Sequence, residues 1–200
     1  MLKVGITGGI GSGKTTICKI FETLGIPIYY ADARAKEIMH DNENVKQALL
    51  HLFGQEAYLS DGALNRPFIS KKVFQNKSML QQLNAIVHPA VLQDTINWFQ
   101  THQDKKYVLY EAAIMYESGS YKMLDKVITV FAPIEERIQR TIKRDNIDRK
   151  SVLDRMDKQL SEEEKMKKAD YIIYNDHTQS LIEQVLATHN SLLELADIKN

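Results

Sequence analysis

Eight residues near the start of the chain have the types and spacing of a loop that binds phosphate. The stretch GGIGSGKT, from Gly8 to Thr15, fits the pattern G-x-x-x-x-G-K-[ST]. Its glycines let successive backbone N–H groups point inward and approach phosphate oxygens closely. In such a loop the Lys14 ammonium group reaches the β- and γ-phosphates of a nucleotide, and the Thr15 hydroxyl binds Mg²⁺. The alternative is an ordinary glycine-rich turn, although five of the nine glycines fall between Gly5 and Gly13.

The segments on either side of this phosphate loop have the patterns of a strand and a helix. The apolar run from Leu2 to Thr7 predicts a buried strand, and the apolar residues at positions 17, 20, 21 and 24 share one face of a helix. Gly25 follows where a C-terminal capping glycine is expected. A helix that begins near Gly13 adds the positive end of its dipole to the anion site. The residues that we expect to bind the nucleotide here are Gly9, Gly11, Ser12, Gly13, Lys14, Thr15 and Thr16.

Asp32 lies just beyond the carboxyl end of a second predicted strand, which runs from Ile26 to Tyr30. Open parallel sheets bind ligands at that edge, so we expect Asp32 to face the same crevice as the phosphate loop. In that position it would serve catalysis directly or through Mg²⁺. The alternative is an N-cap for a helix from Arg34 to His40, and the two roles are compatible.

The stretch from residue 32 to about residue 106 contains no predicted strand. A crossover between parallel strands needs only about a dozen residues, so this longer stretch predicts an inserted helical subdomain that binds the acceptor. One helical pattern stops at Gly54, another starts at Arg66, and two more are separated by His88 and Pro89. A lone histidine such as His88 is more often a packed or capping residue than a substrate ligand, and both interpretations stay open.

Three further apolar runs predict the remaining strands. They cover residues 107–110, 127–131 and 171–174, and a closing helix follows from about Ile182. The first run ends at Glu111, an acid suited to hold a Mg²⁺-bound water opposite the phosphate loop. The alternation of strands and helices predicts a three-layer α/β fold with a five-stranded parallel sheet. Its expected core covers residues 1–31, 107–133 and 169–200.

Residues 134–168, between the fourth and fifth predicted strands, are rich in arginine and lysine. Arg137, Arg140 and Arg144 repeat at helical spacing and share one face. Guanidinium groups on that face would close over transferring phosphates and exclude water, so we interpret this lid segment as a mobile helical lid. The alternative is a solvated pair of helices, since acidic residues at positions 145, 148, 154 and 157 lie among the basic ones.

Composition excludes several classes of protein. The 200 residues carry a formal net charge of zero, which argues against a nucleic-acid or membrane-surface partner. The single cysteine, Cys18, excludes an internal disulfide framework. No apolar stretch approaches the ~20 residues of a membrane span, and the first residues enter a strand without a signal peptide. We therefore expect a cytoplasmic enzyme that is a monomer or a weak homo-oligomer.

The class of phosphate-loop protein depends on the motifs that accompany the loop. GTPases carry N-K-x-D, but the only Asn-Lys pair here is followed by Ser78 and Met79. They also carry D-x-x-G, yet no glycine after the loop has an Asp three positions before it. The short domain, the helical insert and the arginine-rich lid segment favour a small-molecule kinase. A nucleotide-binding switch or ATPase without an acceptor is the alternative from a different class.

An ordered set of further motifs narrows the class of kinase. It consists of Thr7–Thr15, Ala31-Asp32, Asp61-Gly62, Leu64, Arg66, Val73-Phe74, Ile86–Pro89, Ile114–Gly119, Lys143-Arg144-Asp145, Arg155, Gln159, Ala169-Asp170 and Asn175. With these motifs the chain resembles the dephospho-CoA kinase family over nearly its full length. The phosphate loop alone is common to many kinases, whereas the ordered set is much more discriminating.

The resemblance implies transfer of the ATP γ-phosphoryl group to the ribose 3′-hydroxyl of dephospho-CoA, the final step of CoA biosynthesis. It implies ATP and dephospho-CoA as small-molecule partners, with Mg²⁺ bound by Thr15. The implied catalytic residues are Lys14, Asp32, which orients or deprotonates the hydroxyl, and Arg140, which stabilises charge together with Arg144. Asn175 and Arg144 join the nucleotide site, and the implied acceptor-binding residues are Asp32, Arg66, His88, Tyr116 and Glu117. The runner-up is another nucleoside or nucleotide kinase.

Four residues depart from the pattern of the family. Tyr30 replaces the first Asp of its Asp-Ala-Asp motif, and Glu111 replaces an Asp. Ala113 stands in place of a proline, and Asn84 in place of an acid. These changes affect the residues that are expected around the metal ion, whereas Asp32, the proposed base, is retained.

Overall fold

The computed structural model describes residues 1–199, apart from the side chains of residues 75 and 199. The chain divides into two compact units. The first unit consists of Met1–Tyr30 together with the chain from Thr101 onward, and the second unit is Ala31–Gln100.

Nine segments of the described chain are α-helical, and two short 3₁₀ turns lie at Gln55–Ala57 and Ser120–Met123. The helices are α1 (Lys14–Thr23), α2 (Ala31–Asp41), α3 (Glu43–Phe53), α4 (Arg66–Gln75), α5 (Lys77–Thr101), α6 (Ile134–Asp145), α7 (Arg149–Met156), α8 (Glu162–Lys168) and α9 (Leu181–Lys199). Helices α2 to α5 supply the second unit, and the others belong to the first.

The first unit is built on a five-stranded sheet with the strand order β2-β3-β1-β4-β5, in which every pairing is parallel. The strands are β1 (Leu2–Thr7), β2 (Ile28–Tyr30), β3 (Tyr107–Glu111), β4 (Lys126–Phe131) and β5 (Tyr171–Tyr174). The predicted α/β fold with a five-stranded parallel sheet is confirmed. Parallel strands covered on both faces are apolar throughout, which is why short apolar runs identified them.

The register of the strands brings the predicted strand ends to one edge of the sheet. Ile6 of β1 and Tyr30 of β2 both pair with Glu111, the last residue of β3. Thr7, the last residue of β1, pairs with Thr129 of β4. The segments that follow β1, β2, β3 and β4 therefore all leave the sheet at its carboxyl edge.

Helix α1 packs on this sheet through its predicted apolar face. Ile17, Cys18 and Phe21 are fully buried and contact the core residues Val4 and Ile6 of β1. The helix ends at Thr23 with Leu24 as its C-cap, and Gly25 follows with φ of 79°, so the predicted capping glycine is confirmed. This packing fixes the beginning of α1 directly after the phosphate loop.

The second unit has its own apolar core and corrects one predicted boundary. Its buried residues include Ile38, Leu49 and Phe53. The break predicted at His88 and Pro89 is wrong, because α5 continues through Pro89 as one helix. A proline inside a helix costs about 3 kcal/mol. The apolar residues that pack on this core, Met79, Leu83, Ile86, Ala90 and Val91, stay on one helical face across the proline and offset that cost.

The start of α2 also differs from the prediction. The helix begins at Ala31 rather than near Arg34, so Asp32 lies inside its first turn and is not the N-cap. An acid at that position still interacts favourably with the positive end of the helix dipole. Over Ala31–Gln100 no described segment is a strand, and an isolated antiparallel bridge joins Tyr58 to Leu64.

The lid segment folds as α6, α7 and α8. Arg137, Ile138 and Thr141 of α6 are buried, so one side of this helix belongs to the interior of the first unit. The Asp148 side chain caps α7, and Ser161 with Glu164 forms a capping box on α8.

Candidate active site

The phosphate loop joins β1 to α1 in a conformation that requires glycine. Gly11 has φ of 78° and Gly13 has φ of 95°, both in the left-handed region. A Cβ added at Gly11 would collide with the Arg137 carbonyl oxygen, and one at Gly13 would collide with the Asn175 amide. Both the backbone angles and the close packing therefore exclude other residues at these two positions.

Lys14 is the first residue of α1, and its half-buried side chain turns back along the loop. Its ammonium group donates to the carbonyl oxygens of Gly8, at 2.8 Å, and Gly9, at 3.4 Å. Thr15 and Thr16 follow in the first turn with exposed side chains. The ammonium group and the two hydroxyls therefore lie at the beginning of the helix, where an anion is favoured.

The loop contains a buried hydroxyl that is not satisfied by the protein. Ser12 is fully buried, and its Oγ makes no hydrogen bond with the described residues. Its carbonyl oxygen accepts a hydrogen bond of 2.8 Å from the Asn175 side-chain amide. Asn175, which directly follows β5, is therefore placed against the loop and supports its backbone, and its role in the nucleotide site stays a prediction.

Arg140 directs one nitrogen of its guanidinium group towards the loop. Nη2 donates to Glu136 at 2.5 Å and to the Asn175 carbonyl at 3.4 Å. Nη1 is buried and has no hydrogen-bond partner among the described residues, and it lies 4.0 Å from the position that a Cβ on Gly13 would take. A buried and unsatisfied cationic donor next to a phosphate loop matches the chemistry of a nucleotide phosphate.

The other two arginines of the predicted face have different surroundings. The Arg144 side chain is 62% exposed and pairs with Asp145 at 2.7 Å. The pKa of Asp145 is lowered, mainly by its hydrogen bond to Arg144. Arg137 is only 6% exposed. Arg137 lies in the interior beneath the loop. This position does not fit the expectation that Arg137 closes over the phosphates as part of an open lid face.

Arg137 belongs to a buried ion cluster with Glu162, Lys165 and Glu117. Arg137 lies 3.4 Å from Glu162, and the fully buried Lys165 ammonium lies 3.7 Å from Glu117 and 3.9 Å from Glu162. Burial lowers the pKa of Lys165, and the two carboxylates oppose that shift. Two cations and two carboxylates balance, so the cluster adds no formal net charge below the loop.

Charged and hydroxyl groups lie near α1 from its first turn, at Lys14, to its last turn, at Glu22. The Tyr30 hydroxyl donates to Glu22 at 3.0 Å. Burial is the main cause that raises the pKa of Tyr30, and this hydrogen bond raises it further. Burial raises the pKa of the Cys18 thiol, Glu111 raises it further, and Lys14 lowers it. The electrostatic potential at Cys18 therefore has contributions of opposite sign from Glu111 and Lys14.

The two predicted acceptor-binding residues of the first unit make interior contacts. Tyr116 is buried, and its ring lies 5.4 Å from the Tyr121 ring and 5.6 Å from the Lys168 ammonium. Glu117 accepts a hydrogen bond of 2.6 Å from the Leu160 N–H and belongs to the buried ion cluster. Acceptor binding by either residue stays a prediction.

The predicted site residues of the second unit are all exposed. Asp32 lies in the first turn of α2, Arg66 is the first residue of α4, and His88 lies within α5. The Asn65 side chain caps α4 by accepting from the Phe68 N–H at 3.3 Å. The chemical roles predicted for Asp32, Arg66 and His88 stay predictions.

Two residues in contact with the site were not assigned a role from the sequence. Gln159 accepts the Ile10 N–H at 2.9 Å, and Lys165 is the fully buried member of the ion cluster. In the sequence, Gln159 stood out only as one of the residues that fit the ordered motif set of the family. Lys165 lies in the charged run EEEKMKK, which gives no indication of burial.

A phosphate loop between the first strand and first helix of a parallel α/β sheet defines a P-loop nucleotide-binding enzyme. Family comparison narrows this class, since the family model described as dephospho-CoA kinase matches residues 2–180. The chain belongs to the dephospho-CoA kinase family, and it is a kinase.

Individual relatives agree with this assignment. The chain is 34% identical to the dephospho-CoA kinase of Bacteroides fragilis (strain YCH46), over 92% of this chain and 90% of the relative. A Thermus thermophilus crystal structure matches with a TM-score of 0.85 and 31% identity, over 95% of this chain and 96% of that chain. The dephospho-CoA kinase structure from Campylobacter jejuni matches with a TM-score of 0.73 and 26% identity, over 96% of this chain and 97% of that one. Among the described residues, no helix combines the length and hydropathy required of a membrane span.

Proposed function

We propose that this enzyme transfers the γ-phosphoryl group of ATP to the ribose 3′-hydroxyl of dephospho-CoA, giving CoA and ADP. The observation that carries the proposal is the phosphate loop of a dephospho-CoA kinase family member, with the buried Arg140 donor beside it. We further propose that the enzyme is cytoplasmic and works as a monomer or weak homo-oligomer.

The nucleotide phosphates would be bound by the loop and the residues around it. Lys14 would leave the Gly8 and Gly9 carbonyls and bind the β- and γ-phosphates. Backbone N–H groups at the beginning of α1 would donate to the same oxygens. Arg144 and Asn175 complete the proposed nucleotide site, with Arg144 reaching it from the exposed side of α6.

The residues present fit a nucleotide-bound Mg²⁺. The Thr15 hydroxyl is exposed in the first turn of α1, next to Lys14, where it is available as a ligand. Mg²⁺ is typically bound by one or two protein groups together with phosphate oxygens and water. When bound, the ion would neutralise charge on the phosphates. Among the described residues no group of three or more His, Cys, Asp or Glu side chains could hold a metal by itself.

The proposed catalysis combines positioning with electrostatic stabilisation. Asp32 would orient the acceptor hydroxyl or accept its proton, since a ribose hydroxyl is a poor nucleophile. Arg140 would stabilise negative charge on the transferring group through Nη1, whose hydrogen-bonding capacity the protein leaves unused. Because the transition state of phosphoryl transfer is loose, alignment of the two substrates contributes most of the rate.

The acceptor would be received mainly by the helical second unit. Arg66 and His88 are proposed to contact it there, and Tyr116 and Glu117 from the first unit. The diphosphate and pantetheine arm of dephospho-CoA offer binding energy remote from the reacting hydroxyl. We therefore expect strong discrimination against acceptors that lack them.

An acceptor panel with ATP and Mg²⁺ tests this proposal. Dephospho-CoA, AMP and adenosine are compared by initial rate, and the position of the new phosphate is read by NMR. We expect fast turnover of dephospho-CoA with phosphate on the 3′-oxygen. Comparable turnover of AMP would favour a nucleotide kinase, and ADP release without any acceptor would favour a nucleotide switch.

A further inference from the structure

Both backbone polar groups of Ile10, in the middle of the phosphate loop, are bound by side chains of the lid segment. The Arg137 Nε on α6 donates to the Ile10 carbonyl oxygen at 3.0 Å. The Gln159 side-chain oxygen, after α7, accepts the Ile10 N–H at 2.9 Å. The Ile10 N–H is therefore not available to a phosphate, and the donors of the anion site must come from the residues that follow.

Arg137 is placed to support the loop rather than to bind a ligand. Its side chain is 7% exposed, and its charge is paired with Glu162. A Cβ added at Gly9 would collide with the Arg137 guanidinium group, so the loop backbone rests directly on it. A phosphate cannot reach this guanidinium group without displacing the loop.

Gln159 is held in place by its own neighbours. The Glu117 carboxylate accepts the N–H of the next residue, Leu160, at 2.6 Å. The Gln159 side-chain amide also donates to the Ala113 carbonyl at 3.4 Å. Lys165 contributes a buried positive charge 3.7 Å from Glu117. The buried ion cluster therefore fixes the residues that hold Ile10.

We propose that Arg137 and Gln159 are positioning residues, which hold the Ile10 backbone so that the amides of the following loop residues are presented to the phosphates. The inference rests on the proposed role of the loop in binding nucleotide phosphates. A loop that is ordered before binding loses less conformational entropy when the nucleotide arrives. The lid segment thereby sets nucleotide affinity through the loop backbone, separately from any contact that it makes with the phosphates.

The Gln159→Ala variant tests this role, with Gln139→Ala on the exposed side of α6 as the matched control. We expect ADP to bind Gln159→Ala about tenfold more weakly, which is the scale of one lost hydrogen bond. Hydrogen exchange at the Ile10 amide of the nucleotide-free enzyme should become faster. The KM for ATP should rise more than kcat falls, and Gln139→Ala should match the wild type in every measurement.

A second variant separates positioning from simple loss of stability. Gln159→Glu retains an acceptor oxygen for the Ile10 N–H but loses the donor to the Ala113 carbonyl, so it should slow exchange at Ile10 partway back towards the wild-type rate, whereas destabilisation would speed exchange throughout the first unit. Unchanged ADP affinity and unchanged Ile10 exchange in folded Gln159→Ala would overturn the inference. Failure of the wild-type enzyme to bind ADP would instead overturn the phosphate-binding role of the loop.

Discussion

At the scale of single residues, Lys14 is held in a position from which a nucleotide can recruit it. Its ammonium group donates to the carbonyl oxygens of Gly8 and Gly9. Exchange of these two neutral acceptors for anionic phosphate oxygens gives the ammonium group acceptors of opposite charge, which bind it more strongly. The free energy of that exchange is available for nucleotide binding and for the transition state.

Lys14→Ala should lower turnover by about 100-fold or more, because loss of one preorganised charged donor has effects of that order. Initial rates at saturating ATP and dephospho-CoA measure the change, and circular dichroism checks the fold. Lys19→Ala, on the exposed side of the same helix, is the matched control and should keep full turnover. Near-normal turnover of a well-folded Lys14→Ala enzyme would remove Lys14 from the site.

Arg140 differs from the other arginines of α6 in having a buried nitrogen without a partner. Arg140→Ala should lower kcat by about 100-fold and change the affinity for dephospho-CoA by only a few-fold, because the charge that it meets grows in the transition state. Steady-state kinetics and equilibrium binding of dephospho-CoA separate the two effects. Arg149→Ala removes an exposed pair with Glu135 and should have little effect. A change in acceptor affinity alone would make Arg140 a binding residue.

At the scale of elements, the last three strands were predictable because each is a short apolar run. The runs beginning at Tyr107, Val127 and Tyr171 and the actual strands differ by at most one residue at either end. Burial on both faces leaves little choice of residue type, so composition alone marks them. The same constraint places Glu111 at the end of β3, at the carboxyl edge.

The continuity of α5 was not predictable from local preference. Pro89 disfavours a helix in the sequence, whereas the apolar face that runs from Met79 through Ile86 to Ala90 packs on one core. Packing outweighs propensity here, and only the fold shows that both halves face the same core. The positions of Gln159 and Lys165 depend on tertiary contacts in the same way, since neither has an apolar pattern around it.

Asp32 lies in the first turn of α2, and one substitution distinguishes its proposed catalytic role from a role in stabilising the helix. Asp32→Asn should lower turnover by about 100-fold, the scale of positioned general-base catalysis, while ATP binding stays nearly unchanged. Loss of the dipole interaction should lower the stability by at most about 1 kcal/mol. Turnover and thermal unfolding are measured on the same samples, with Asp41→Asn at the other end of α2 as the control. Full activity of Asp32→Asn would direct the search for the base to Glu111 and Glu117.

At the scale of the whole molecule, one partly buried histidine, His189, links stability to pH. The Tyr107 hydroxyl and His189 Nδ1 lie 2.6 Å apart, and burial lowers the pKa of His189 below its usual 6.5. The folded state therefore binds this proton less readily than the unfolded chain. Its contribution to the free energy of unfolding is present above pH 6.5 and is lost as the pH falls through the folded-state pKa.

Urea unfolding at about pH 7.5 and about pH 5.5 measures this dependence. The wild type should be less stable at the lower pH, and His189→Gln should lose part of that difference. His51→Gln, at an exposed position of α3, should retain the whole difference. An equal pH dependence in His189→Gln and the wild type would show that other groups are responsible.

The burial of Cys18 gives this enzyme a built-in reporter of opening. The chain has one cysteine, which lies fully buried on α1 with its pKa raised, so the reactive thiolate is scarce in the folded state. A thiol-modifying reagent should therefore react only with molecules in which α1 has separated from the sheet. A nucleotide bound at the loop that begins this helix would slow the modification in proportion to its stabilisation of the closed form. Mass spectrometry of a single modified site could then follow nucleotide occupancy without a substrate analogue or an attached dye.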